Sequence, residues 1–192
     1  MKKLLCVAFA AFALAGCQTT AESNRAPEYL PDEQCPVKIG NSEHYSFNSN
    51  DCYRNLVQDN LSYYHVASWE GVPAFSQVYF QEIGGFGIWK NDPNPNKKDI
   101  FRWNAFKDVD LADIKELSCD GFSCFSVPLA DSKMPDGKAE CVWFRRNSAK
   151  GRRGSNAGVN NFFDGYFCDA IKVKAFTDEE AARIVGYYDL NE

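Results

Sequence analysis

Two stretches decide the fold: ECVWFRR (Glu140–Arg146) and NNFFDGYFC (Asn160–Cys168). Both are rich in aromatic residues, which suit the pleated surface of a sheet. A long polar segment separates them, so they read as two antiparallel strands whose far ends, Cys141 and Cys168, meet. Working outward, SQVYFQEI (76–83) and FGIWK (86–90) flank Gly84-Gly85, a pair able to supply the positive dihedral angles of a tight hairpin. IFRWNAF (100–106) reads as a further aromatic strand after the turn-rich loop NDPNPNKKD. FSCFSVPL (122–129), the turn-rich ADSKMPDGK and AIKVKAF (170–176) complete the series.

Three segments read as helices. NDCYRNLVQDNL (50–61) offers Asn50 or Asp51 as a cap, with Leu56 and Val57 turned inward. DLADIKEL, from Asp110, has the look of a short capped helix. DEEAARIVGYY follows Thr177, which with Glu180 forms a capping box. Strands outnumber helices and short turns join many of them. The expected fold class is α+β: an antiparallel sheet with a few short helices in a disulfide-bonded single domain.

The chain opens MKKLLCVAFAAFALAGCQTT (1–20): two lysines, an uncharged run from Leu4 to Ala15, then small residues. This is the layout of a secretory signal, and the run is shorter than the ~20 residues needed to span a bilayer. Its end, Leu14-Ala15-Gly16-Cys17, resembles the lipobox of bacterial lipoproteins. The resemblance implies cleavage before Cys17, a thioether-linked diacylglycerol and an N-acyl chain on that residue. More than one acyl chain is what stable anchoring requires. Gln18 stands where an aspartate would signal inner-membrane retention, so the same resemblance points to the outer membrane, facing the periplasm. The expected organisation is a signal peptide over 1–16, a lipid anchor and polar tether over 17–34, and a globular periplasmic domain over 35–192.

Of eight cysteines, Cys6 leaves with the signal and Cys17 is taken by lipid. Cys35, Cys52, Cys119, Cys124, Cys141 and Cys168 remain, an even set for an oxidising compartment. Zinc is the rival reading, but no C-x-x-C occurs and no histidine lies near Cys119 and Cys124. Sequence alone leaves 15 connectivities open. Nearest-neighbour pairing is favoured: Cys35 with Cys52, Cys119 with Cys124, and Cys141 with Cys168.

Catalytic signatures are weak. His44 and His65 belong to no recognised metal or nucleophile motif. GFSCF (121–125) begins like a nucleophile elbow around Ser123 but has Phe125 in place of the last glycine. Asp108, Asp110 and Asp113 miss the EF-hand pattern and are better explained by capping. Glu70 and Glu82 could form a glycosidase carboxylate pair only if the fold brings them together. Trp69, Trp89, Trp103 and Trp143 could stack on sugars, although such residues on strands usually pack a core. The sequence points to no cofactor, no metal and no nucleic-acid partner.

The least ordinary feature is the segment after Cys141. No acid occurs between Glu140 and Asp164, while Arg145, Arg146, Lys150, Arg152 and Arg153 carry five positive charges in a chain of net charge −5. Such segregation creates a local field for phosphates or carboxylates; the plain alternative is a solvated hairpin tip. The expectation is a membrane-tethered envelope binding or structural module, with the basic stretch 145–153 as the contact for an anionic envelope polymer or partner protein. A periplasmic hydrolase is the rival, as is an inhibitor that inserts its 147–160 loop into an enzyme.

Overall fold

The computed structural model describes residues 27–40, 44–57, 62–83, 96–130, 138–148 and 161–190. The signal and Cys17, the Gly84-Gly85 turn, FGIWK with Trp89, and Lys150, Arg152 and Arg153 lie outside them. Among the described residues the strands are β1 (Glu28–Tyr29), β2 (Val37–Ile39), β3 (Ser46–Val57), β4 (Ser62–Val72), β5 (Ala74–Ile83), β6 (Lys115–Cys119), β7 (Phe122–Ala130), β8 (Lys138–Ser148), β9 (Asn161–Asp169) and β10 (Tyr188–Leu190), with one α-helix, α1 (Asp178–Val185). An eight-stranded sheet runs in the order β1-β3-β4-β5-β9-β8-β7-β6, and β10 pairs with β2 in a separate ribbon. Every pairing is antiparallel. With one eight-residue α-helix beside two sheets, the described architecture is closer to all-β than to α+β.

The expected β8–β9 pair lies at the centre, with Cys141 opposite Cys168 and Ser148 opposite Asn161. Its central stretches, residues 141–144 and 165–168, are apolar on both faces because both faces of the sheet are covered. Val142, Phe144, Phe163 and Phe167 pack on one side against Ala181, Ile184 and Val185 of α1 and against Val37 of β2. Trp143, Tyr166, Phe125 and Val127 pack on the other, under Ile100 and Phe106. Three disulfides join Cys35 to Cys52, Cys119 to Cys124 and Cys141 to Cys168, with Cα separations of 6.1, 6.0 and 4.0 Å. The first ties a 3-10 turn (Asp32–Gln34) to β3, the second closes the β6–β7 hairpin, and the third crosses from β8 to β9. Gly121, at φ 70°, forms the β6–β7 turn with Asp120, a left-handed position that glycine occupies at little cost.

Several local expectations give way to tertiary pairing. Residues 50–57 are strand rather than helix, because β3 hydrogen-bonds along β4 from Ser46 to Val57 and buries Cys52 beside Ala67. Residues 100–106 are not a strand. Asn96 accepts from the Lys98 N–H while the Asp99 carboxylate accepts from the Asn96 N–H, and this box starts a 3-10 turn over Lys97–Arg102. A second turn covers Asn104–Phe106. Ile100, Trp103 and Phe106 are spaced by three, the period of a 3-10 helix, so one edge of this segment faces the sheet.

From Asp110 the chain makes a turn, with the Asp110 side chain accepting from the Ala112 N–H, and enters β6 instead of a helix. Residues 170–176 follow β9 as turns and coil rather than strand, leaving Ile171 and Val173 exposed. The final helix keeps both bonds of its capping box, yet ends at Val185, and Tyr188 belongs to β10. At the other end the fold reaches back ahead of Cys35: Glu28 and Tyr29 pair with Arg54 and Tyr53, and Leu30 is buried. No helix among the described residues is long and apolar enough to cross a membrane.

Candidate functional site

β5 and β9 pair to their ends, where Glu82 meets Asn161. Side chains alternate along each strand. Tyr79 and Gln81 of β5 therefore share a face with Phe162 and Asp164 of β9. The Lys97–Arg102 turn brings Arg102 and Trp103 over that face, and these six residues line a cavity of about 300 Å³. Tyr79 and Phe162 meet edge to face at 6.0 Å. The Tyr79 hydroxyl donates to Gln81 Oε1 at 3.1 Å, and Trp103 stands edge-on to Tyr166 at 5.1 Å.

Beneath the cavity runs a chain of charges. Arg145 and Asp164 are direct cross-strand partners, and Arg145 Nη2 donates to Asp164 Oδ2 at 2.9 Å. Arg145 Nη1 lies 3.3 Å from Asp99 Oδ2, and Arg102 Nη2 lies 3.6 Å from Asp99 Oδ1. The guanidinium of Arg145 sits 4.9 Å from the ring centres of both Trp143 and Phe162. Cation–π attraction across two ring faces helps hold it in a desolvated place. Burial pushes the Asp164 carboxyl up to about 6, against the lowering influence of Arg145, Arg102 and a hydrogen bond with Trp103. Asp164 is thus held above the usual carboxylate range while the arginine holds it in position.

This geometry corrects the reading of Arg145 as part of an exposed basic surface. Its side chain is 1% exposed and committed to two carboxylates. As an inward residue of a sheet covered on both faces, it is neutralised by acids from β9 and the 97–102 turn. Arg146, next along β8, is half-buried and lies 5.3 Å from the Phe122 ring. Lys150, Arg152 and Arg153 fall outside the described residues. The segment that carries them leaves the sheet after Ser148 and returns at Asn161, beside the cavity-lining Phe162.

The remaining candidates are dispersed. Trp69 and Trp143 are core, and Trp103 lines the cavity. His65 is buried, and burial with the nearby Arg54 lowers it to about 4. His44 is exposed, as are Asp108, Asp110 and Asp113. Glu70 is exposed on β4, and the side chain of Glu82 lies outside the described residues. Ser123 lies with Ser118 and Asp178 along a second, open depression of about 550 Å³ beside the edge strand β6. The six paired cysteines are structural cross-links.

Sequence reasoning passed over Asp164, Tyr79, Gln81 and Arg102. One signal was available for Asp164: it is a lone acid in the apolar run FFDGYF. Comparison with known proteins finds no matching family model, no matching curated protein and no matching solved structure.

Proposed function

We propose that the protein is a lipid-anchored module of the bacterial cell envelope that binds an anionic envelope component, with the anchor at Cys17 and the contact at the β5–β9 end of the sheet. The observation that carries this reading is the position of the cavity beside Asn161, where the basic segment re-enters the sheet. Lys150, Arg152 and Arg153 precede the cavity-lining Phe162 in the chain by twelve, ten and nine residues, so a ligand at the cavity can engage them as well. The lipobox resemblance and the three disulfides support an exported, membrane-fastened setting.

A raised carboxyl in a cleft also suits a general acid, so hydrolysis is the second reading. Against it, Asp164 is the one carboxylate lining the cavity among the described residues, and glycoside hydrolysis ordinarily uses two.

Co-sedimentation of the full chain with purified sacculi and with lipopolysaccharide vesicles tests the proposal. Reversing Arg152 and Arg153 to glutamate should release the protein from the anionic polymer, and added salt should do the same, since exposed charges are screened over about 8 Å at physiological strength. Equal capture of both proteins at low and high salt would overturn it.

A further inference from the structure

The cavity between β5, β9 and the 97–102 turn is matched in charge. Its lining carries one guanidinium, Arg102, and one carboxylate, Asp164, and each is engaged in an ion pair with a residue behind the wall, Arg102 with Asp99 and Asp164 with Arg145. A ligand of either net charge meets an opposing carboxylate or guanidinium already satisfied by its neighbour. What the site offers instead is hydrogen-bonding capacity beside apolar surface. Gln81 has amide N–H donors beside the Oε1 that accepts from Tyr79, Asp164 has acceptor lone pairs beyond those that Arg145 and Trp103 use, and Arg102, 57% exposed at the rim, has further donors in its fork. Tyr79, Trp103 and Phe162 supply aromatic walls.

Donors and acceptors around a flat apolar wall are the complement of a polyhydroxylated ring, which presents a C–H face and a hydroxyl edge. A volume of about 300 Å³ lies at the bottom of the ~300–1,000 Å³ range of small-molecule sites. It suits one ring, not several. We infer that the cavity binds a single neutral pyranose unit of a saccharide, with the ring against the aromatic wall and its hydroxyls on Asp164, Gln81 and Arg102. The inference deepens the envelope-binding reading by naming the group that enters the cavity, and it rests on that reading only for the source of the sugar.

Saturation-transfer NMR on the full chain in detergent micelles, with methyl glucoside, N-acetylglucosamine and glucuronate as probes, tests it. The neutral sugars should receive saturation on their ring protons and glucuronate markedly less. Trp103→Leu should weaken binding roughly tenfold, the scale of one lost aromatic contact. Arg102→Ala, at the exposed rim, should weaken it a few-fold in a protein whose near-ultraviolet circular dichroism is unchanged, which keeps the test valid should the tryptophan variant misfold. No transfer to any probe at ~50 mM, undiminished binding in the folded Arg102→Ala protein, or a preference for glucuronate would each refute the inference. The Arg152→Glu/Arg153→Glu protein should keep monosaccharide binding. Sugar binding retained while polymer capture fails refutes the electrostatic contact alone; polymer capture retained without sugar binding refutes the pyranose site alone.

Discussion

Replacing Arg145 with methionine should destabilise the fold by an amount that depends on pH, and the structure sets both sign and size. Asp164 titrates at about 6 in the fold against an ordinary 3.8, a difference of about two units, worth roughly 3 kcal/mol at 1.36 kcal/mol per unit. Because its folded pKa is raised, the folded state holds this proton more tightly than the unfolded chain. That contribution to stability is complete below about 3.8 and is lost as the pH rises through about 6. At neutral pH the ionised Asp164 depends on Arg145, with Asp99, Arg102 and Trp103 as its other polar surroundings.

Without the arginine the carboxylate is buried and unpaired, a defect of about 3–5 kcal/mol. Near pH 5 Asp164 is protonated in both proteins. The variant then loses the ion pair with Asp99, whose side chain is 19% exposed, the hydrogen bond from Arg145 to the neutral Asp164 and the contacts with Trp143 and Phe162, together roughly 2 kcal/mol. His65 has the opposite slope, since its lowered pKa contributes stability that falls away as the pH drops from 6.5 towards 4. Its share is present in wild type and variant alike and cancels in the difference. Urea unfolding followed by tryptophan fluorescence, at about pH 5 and about pH 7.5, gives that difference directly. Adding Asp164→Asn to Arg145→Met should recover most of the loss at the higher pH. Equal destabilisation at both pH values, with no recovery in the double variant, would refute the reasoning.

The part of the fold legible in the sequence is the part whose local and tertiary demands agree. The middles of β8 and β9, CVWF and FFDGYFC, are dominated by aromatic side chains, so both propensity and burial favour strand. Thr177 and Glu180 announce a helix that nothing in the tertiary structure contests. At β3 they disagree: Asn50 and Asp51 are good helix caps, but pairing with β4 and the bond from Cys52 to Cys35 favour strand, and propensity is the weaker influence.

Ile100, Trp103 and Phe106 misled for another reason. Their residue types suit strands, while their spacing of three belonged to a 3-10 turn. The site was half-legible. Once Cys141 is set opposite Cys168 in an antiparallel pair, four residues onward from the first is Arg145 and four back from the second is Asp164, so the disulfide implies the buried ion pair. Reading the arginines as one surface run hid that consequence, because β8 alternates faces between Arg145 and Arg146. Trp103 and Arg102 could not be placed over β9 from sequence, since that requires knowing where the 97–102 turn docks.

Two further outcomes follow from the central strands. Removing each disulfide as a double alanine variant should cost more the longer the chain it closes, rising with the logarithm of its length: about 3.5 kcal/mol for Cys141–Cys168, about 3 for Cys35–Cys52 and about 2 for Cys119–Cys124 in the chain-entropy account, given sequence separations of 27, 17 and 5. Chemical denaturation checks the order, and a largest loss at Cys119–Cys124 would contradict it. Gly165→Ala tests how tightly β9 lies against β5. A Cβ there would stand 2.6 Å from Val78 Cγ1, 2.7 Å from the Gln77 carbonyl oxygen and 2.9 Å from Val78 Cα. The valine tip can turn away, but the two backbone atoms cannot without prising apart paired strands in the middle of the sheet. Overpacking of this kind costs about 1–3 kcal/mol. The displaced backbone adjoins Asp164, whose partner on β5 is Tyr79, so the variant should also weaken ligand binding in the cavity. Gly40→Ala is the control: its Cβ meets only the Tyr187 carbonyl oxygen, at 3.5 Å, and stability should change by less than about 0.5 kcal/mol. If urea midpoints of the two variants coincide, β9 does not approach β5 as closely as this register requires.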